Sequence, residues 1–309
     1  MVNDWLQDLY RHYCAVVEWN IGVAQMSPAA LEALVLHGRL GSVDWCPRLT
    51  PLASRADPFI WAIDGQPRVI YEDIDRWHKR GRIRSISLDR FSRWQTSRLE
   101  IDRPYHLSYP FVFSHEGRWW CVPESARDEG ADLHIWDPVS ASWHFERRLI
   151  HGVGILDPTL FRHSGVWFLF GTVRGEGSYD KLRIWWSNSL EGSWHMHQHN
   201  PAKTDIRSSR PAGPLFSFAG DWYRPAQDCT GGYGSAISIN RVEALSPTEF
   251  AEITVSRLAP DADGPYPHGL HTLSILGDKA LIDGKKLTST AWLPIINLLR
   301  RISSAARAQ

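Results

Sequence analysis

Two aspartates stand directly before prolines, Asp57 in RADPFI and Asp157 in LDPTLF. Glu124 falls near the end of RWWCVPES, and Gln227 and Asp228 close YRPAQD. Arg210 in SSRPAG, Tyr109 in SYPF, and His268 and His271 in PHGLHT complete a set of ionisable or hydrogen-bonding groups. Carboxyls of this kind, converging on one pocket, suit glycoside chemistry. One protonates the leaving oxygen, and another activates water or attacks the anomeric carbon. The acid needs a raised pKa, which burial or a neighbouring carboxylate supplies. Each group also has a plainer use. An Asp before Pro caps a turn, Glu124 could hydrogen-bond a loop, Asp228 could pair with Arg224, and the histidines could be buried hydrogen-bonding residues. Two histidines alone leave a metal short of ligands, so neither a metal nor a cofactor is expected.

A hundred residues separate the two aspartates, and an internal repeat supplies the means of bringing them together. Asp57-Pro58-Phe59-Ile60, Tyr109-Pro110-Phe111-Val112, Asp157-Pro158-Thr159-Leu160 and Gly213-Pro214-Leu215-Phe216 share an anchor residue, a proline and an apolar run. His271-Thr272-Leu273-Ser274 keeps the strand and lacks the proline. The anchors lie 52, 48, 56 and 58 residues apart. A turn glycine follows each one (Gly65, Gly117, Gly165, Gly220 and Gly277), and a second strand follows the glycine, which is a hairpin signature. A later aromatic recurs in phase at Trp94, Trp143, Trp194 and Phe250. The stretches LHIWDPVSASWHFERRL and LRIWWSNSLEGSWHMHQH resemble each other directly.

A unit of about fifty residues with three or four strands is a propeller blade, so five units predict an all-β, five-bladed β-propeller. The alternative is a β-sandwich with accidental spacing. First strands of propeller blades line the axis, which puts the anchor positions around one channel. The fifth unit is short of strands, and the run Glu18–Ala24 is the expected donor that closes the ring. The expected organisation is a helical segment over 1–17, a propeller over 18–287 and an amphipathic helix over 288–309. Helical apolar spacing covers 3–14 and 292–308. The second stretch is basic. Packing on the propeller is its plainer use, and contact with a membrane surface is the other.

Composition narrows the function. Lys+Arg and Asp+Glu both number 34 among 309 residues, a balance that argues against a general nucleic-acid binder. Mean hydropathy of −0.31 belongs to a globular chain. Four scattered cysteines without a CxxC pair point to reduced thiols and a cytoplasmic setting. The 16 tryptophans suggest blade packing, with a few left over to stack on sugars.

The set RADPFI, HLSYPFVF with PES, LDPTLF, SLEGSWHMHQHNP, SSRPAGPLF with YRPAQDC, and HGLHT resembles the N-terminal domain of glucosamine inositolphosphorylceramide transferase proteins over roughly residues 18–285. More distantly, the chain resembles the five-bladed furanosidase-like hydrolases of arabinanase, β-xylosidase and invertase type. That distant resemblance implies Asp57 as base or nucleophile, Asp157 as the carboxylate that orients substrate, and a glutamate acid opening blade four. The matching stretch is Ser209–Gly213, without a carboxylate. The acid role then passes to Glu124 or Asp228, and Arg210 in that place suits an anionic group such as phosphate or uronate. The expected function is a glycoside hydrolase-like or glycosyl-transferring protein acting on a furanosyl or anionic glycoconjugate. Asp57, Asp157 and Glu124 would be catalytic, and Tyr109, Arg210, Gln227, Asp228, His268 and His271 would bind substrate. The rival expectation is a non-catalytic glycan-binding module that works with a separate glycosyltransferase.

Overall fold

The structure is a computed structural model that describes residues 15–47, 53–63, 65–75, 80–90, 97–175 and 177–289. Its strands form five antiparallel sheets, one per repeat unit. Blade one holds β3 (Ala53–Ile63), β4 (Gln66–Asp75), β5 (Arg80–Ser87) and β6 (Arg98–Ile101). Blade two holds β7 (Ser108–His115), β8 (Arg118–Ser125), β9 (Gly130–Asp137) and β10 (Ser142–His151). Blade three holds β11 (Ile155–His163), β12 (Val166–Val173), β13 (Lys181–Ser187) and the short β14 (His195–Met196) and β15 (Lys203–Thr204). Blade four holds β16 (Phe216–Phe218), β17 (Asp221–Asp228), β18 (Ala236–Leu245) and β19 (Phe250–Leu258).

Blade five is built from both ends of the described chain. β20 (Leu273–Leu276) and β21 (Lys279–Ser289) are completed by β1 (Ala15–Gln25) and β2 (Val43–Trp45). β1 pairs with β21 along its whole length, from Ala15 opposite Ser289 to Gln25 opposite Lys279. The expected closure by the N-terminal strand is therefore present, and it covers the edge that β21 would otherwise leave open.

The repeated anchor has a physical cause. In blade one Ala56 pairs with Glu72 and Phe59 with Ile70, so three steps on β3 match two on β4. The same one-residue bulge recurs between Ser108 and Phe111 and between Leu156 and Thr159. Proline has no N–H to give a ladder, and a bulge is where a strand tolerates it. The residue ahead of each proline turns left-handed: φ is 52° at Asp57, 42° at Tyr109 and 51° at Asp157. In blade four the position is Gly213, with φ 135°, and a Cβ there would stand 1.8 Å from the Leu273 carbonyl oxygen.

The phased aromatics open outer strands. Trp143 lies in β10 and Phe250 starts β19, while Trp94 lies outside the described residues. Trp61 of blade one packs on Trp136 and Trp143 of blade two, at 4.8 and 4.9 Å between ring centroids. Burying side chains of this size contributes roughly 1.5–3 kcal/mol each.

A helix that the repeat does not announce, α1 (Pro28–His37), links β1 to β2. Ser27 caps it by accepting the Ala30 N–H, Pro28 occupies its first turn, and Gly38 ends it left-handed. The helical spacings over 3–14 and 292–308 lie outside the described residues. Cys46, Cys121 and Cys229 are buried.

Candidate active site

The bulges turn the anchors toward the axis, where their backbone N–H groups leave the ladder and need acceptors. Carboxylates supply them. Asp283 on β21 accepts the N–H of Asp57 (3.1 Å), Asp57 accepts that of Tyr109 (3.0 Å), and Glu124 accepts that of Asp157 (3.0 Å). The second carboxylate oxygen of Asp57 accepts the Thr272 hydroxyl at 2.8 Å and lies 3.4 Å from His271 Nε2. Asp283, fully buried, also accepts the backbone N–H groups of His271 and Thr272 and sits 2.5 Å from His271 Nδ1. The His271 ring stacks on Trp19 with 4.0 Å between centroids.

A second cluster meets the first across the axis. Asp157 Oδ2 accepts Arg210 Nε–H at 2.5 Å and the Gln227 amide at 2.8 Å. The Arg210 guanidinium lies over the rings of Tyr233 (4.9 Å) and Tyr179 (5.6 Å). Tyr109 is buried, its hydroxyl 2.8 Å from Thr159 Oγ1.

A cavity of about 220 Å³ opens between these clusters, lined by Asp57, Glu124, Arg210 and His271 together with Trp19, Glu72, His106 and Tyr233. Larger hollows lie elsewhere, one of about 650 Å³ at the hairpin turns of blades one and two, but the anchor carboxylates do not reach it. Four of the nine residues named from sequence thus share the cavity wall. Asp157, Tyr109 and Gln227 sit behind it and hold the wall in place. Asp228 does not join them. Its carboxylate pairs with Arg257 at 2.6 Å and accepts the Thr230 hydroxyl, while Arg224 pairs with Glu252. His268 is exposed beside β21, its Nδ1 accepting the Leu287 N–H, and does not line the cavity.

Glu72, His106 and Asp283 were missed. For Glu72 a signal existed: Glu72 and Glu124 each stand seven residues past their hairpin glycine, where Thr172 and Gln227 stand in blades three and four.

The electrostatics follow from burial. Desolvation pushes the Asp57 carboxyl up to about 7, with the His271 cation pulling it back. Glu124 rises to about 8 through burial and the Asp157 charge, against the pull of Arg210. Burial would lower His271, but Asp283 and Asp57 hold it at about 9. Glu124 is therefore a proton donor at neutral pH, and His271 is a cation. Asp57, His271 and Asp283 place one ligand atom each within 4.8 Å of one another. A cation at that point would have to displace the imidazole proton.

Fold and site together define a five-bladed propeller whose axial pocket gathers carboxyl, guanidinium and imidazole groups. Residues 48–296 match the family described as glucosamine inositolphosphorylceramide transferase 1, N-terminal, and the chain belongs to that family. It is 31% identical over 259 residues to glucosamine inositolphosphorylceramide transferase 1 of Oryza sativa subsp. japonica, covering 77% of this chain and 35% of that protein. The protein of the same name from Arabidopsis thaliana is 30% identical over 251 residues, covering 76% and 32%. The chain thus spans about a third of the length of these relatives. Among solved structures, the α-L-arabinofuranosidase of Podospora anserina is similar in fold, with a TM-score of 0.56 and 12% identity over 86% of this chain and 97% of that one. The catalytic domain of a Coprinopsis cinerea α-L-arabinofuranosidase gives 0.55 and 11% identity over 88% and 99%.

Proposed function

We propose that the axial pocket binds a glycosyl unit of a glycoconjugate carrying an anionic group, and cleaves or transfers it. The observation that carries this reading is the presence of Glu124, Asp57 and Arg210 on the wall of one cavity. Glu124 gives its proton to the leaving oxygen. A carboxylate of blade one, Asp57 on the sequence argument, takes the opposite role. Arg210, fixed by Asp157 through Nε, offers its remaining N–H groups to a phosphate or carboxylate of the substrate. The names of the relatives, which join an amino sugar to an inositol phosphate lipid, and the sugar-cleaving neighbours in fold both support a carbohydrate ligand.

One observation favours a second reading, a glycan-binding module that serves a separate glycosyltransferase. Blade four offers Arg210 where the distant hydrolases imply a glutamate, and both oxygens of Asp57 are already hydrogen-bonded. A screen of furanosides and anionic glycoconjugates, with binding and product followed on one sample, separates the two. Binding with product supports the enzyme, and binding without product across the panel supports the module.

A further inference from the structure

We infer that the general base of this site is Glu72, polarised by His106, and that Asp57 is a positioning residue. The inference rests on the catalytic reading above and reassigns one role within it.

Asp57 has little left to offer a substrate. One oxygen is taken by the Tyr109 N–H and the other by the Thr272 hydroxyl. Glu72 lines the same cavity, and among the described residues neither of its oxygens accepts a backbone N–H or a hydroxyl. Its neighbour is His106, whose Nε2 lies 3.1 Å from Glu72 Oε1. The Gly81 N–H donates to His106 Nδ1 at 2.9 Å, which leaves no room for a proton there and puts the imidazole proton on the side of Glu72. Burial disfavours a charged ring, the contact with Glu72 more than offsets it, and the Gly81 N–H on Nδ1 opposes a second proton there. Glu72 is therefore placed by its neighbour while its oxygens are not consumed by the fold.

Two further facts mark the pair as built. Glu72 and Glu124 occupy the same repeat position, opposite Ala56 and Ser108 in their ladders, so adjacent blades present matched carboxyls to one cavity. Gly81 makes the space: a Cβ there would stand 2.3 Å from Glu72 Oε1 and 2.9 Å from His106 Cε1.

The step balances with water or an acceptor hydroxyl as co-reactant. Glu72 takes the proton of the attacking O–H as the new C–O bond forms. Glu124 gives its proton to the leaving oxygen as the glycosidic C–O bond breaks. Proton exchange with solvent then resets both groups.

The test compares Glu72→Gln, Asp57→Asn and Glu72→Ala with the wild type, against glycosides that the wild type turns over. Glu72→Gln should lose about 10²–10⁴-fold in turnover while binding changes by no more than a few-fold. Added formate should restore part of the activity of Glu72→Ala. Circular dichroism and urea unfolding show whether each variant is folded. If Glu72→Gln is folded and keeps turnover within tenfold while Asp57→Asn abolishes it, the inference is overturned and the proposed function stands. Absence of rescue in a folded Glu72→Ala also counts against it. A wild type that binds the panel and never releases product removes the proposed function, and this assignment with it.

Discussion

Asp57 Oδ2 accepts the backbone N–H of Tyr109 at 3.0 Å across 52 residues of sequence. The contact joins the anchor of one blade to the anchor of the next. Asp283 does the same for Asp57, and Glu124 for Asp157. The axial carboxyls are thus the joints between blades as well as the wall of the pocket. Asp57→Ala leaves a buried N–H without an acceptor and His271 without one of its two counter-charges. It should cost roughly 3–5 kcal/mol in urea unfolding. Asp57→Asn keeps an acceptor and should cost less than half as much. Equal midpoints for the two variants would contradict the joint.

Arg210 and Asp157 form a buried ion pair at 2.5 Å. Removing the cation strands a charge, so Arg210→Leu should lose about 3–5 kcal/mol of stability. Arg210→Lys should recover part of it, since an ammonium restores the charge but not the guanidinium fork. In calorimetric titration, both variants should weaken binding of an anionic glycoside at least about tenfold, and a neutral analogue much less. Equal losses for charged and neutral ligands would remove Arg210 from anion recognition.

The pocket sets a direction for pH dependence. Asp57 rises from 3.8 to about 7, Glu124 from 4.5 to about 8 and His271 from 6.5 to about 9. All three bind protons more tightly in the folded state. Their contribution is complete below the unfolded values and is lost as pH climbs through the folded ones. Asp228 is held below its ordinary value, so its contribution is already in place above the usual carboxylate range. His134, lowered to about 4 by burial, gains stability up to about pH 6.5 and offsets only part of the loss from the two carboxyls. Stability should therefore fall between about pH 5 and 9, by an amount on the order of a few kcal/mol. Urea midpoints at pH 5, 7 and 9 measure it. Glu124→Gln should flatten the part below pH 8, and an unchanged slope would count against a protonated Glu124.

Ring closure rests on the eleven-residue ladder between β1 and β21. Deleting residues 1–25 exposes the edge of β21, and the product should be insoluble or associate through that edge. A monomer in gel filtration with the wild-type unfolding midpoint would show that the ladder is dispensable.

Much of the fold was legible because the bulge is written in sequence. A proline after a turned anchor, then a glycine, marks an inner hairpin wherever it recurs. The closing strand was legible because blade five lacked strands. α1 was not found, although Ser27-Pro28 and Gly38 are its start and stop signals, because the propeller repeat has no place for it. The site was half legible. Anchor positions led to Asp57 and His271, but the second-strand positions were read only at Glu124, Gln227 and Asp228, so their counterpart Glu72 was passed over. Asp228 misled because its partner, Arg257, comes from another strand and only the near neighbour Arg224 could be weighed. Asp283 stands six residues past Gly277, where the matching position of the other four hairpins stands seven past its glycine.

The most direct test of the account is a product assay on a bound ligand. A panel of furanosides and anionic glycoconjugates is incubated with wild type and with Glu124→Gln, and bound ligand and released sugar are measured in the same tube. The account predicts that at least one ligand is bound by both proteins. It also predicts that the wild type releases or transfers its sugar and that Glu124→Gln does so at least about 10²-fold more slowly. Turnover by Glu124→Gln at the wild-type rate would contradict it, and so would binding that survives Ser108→Trp, which fills the axial cavity from a residue on its wall.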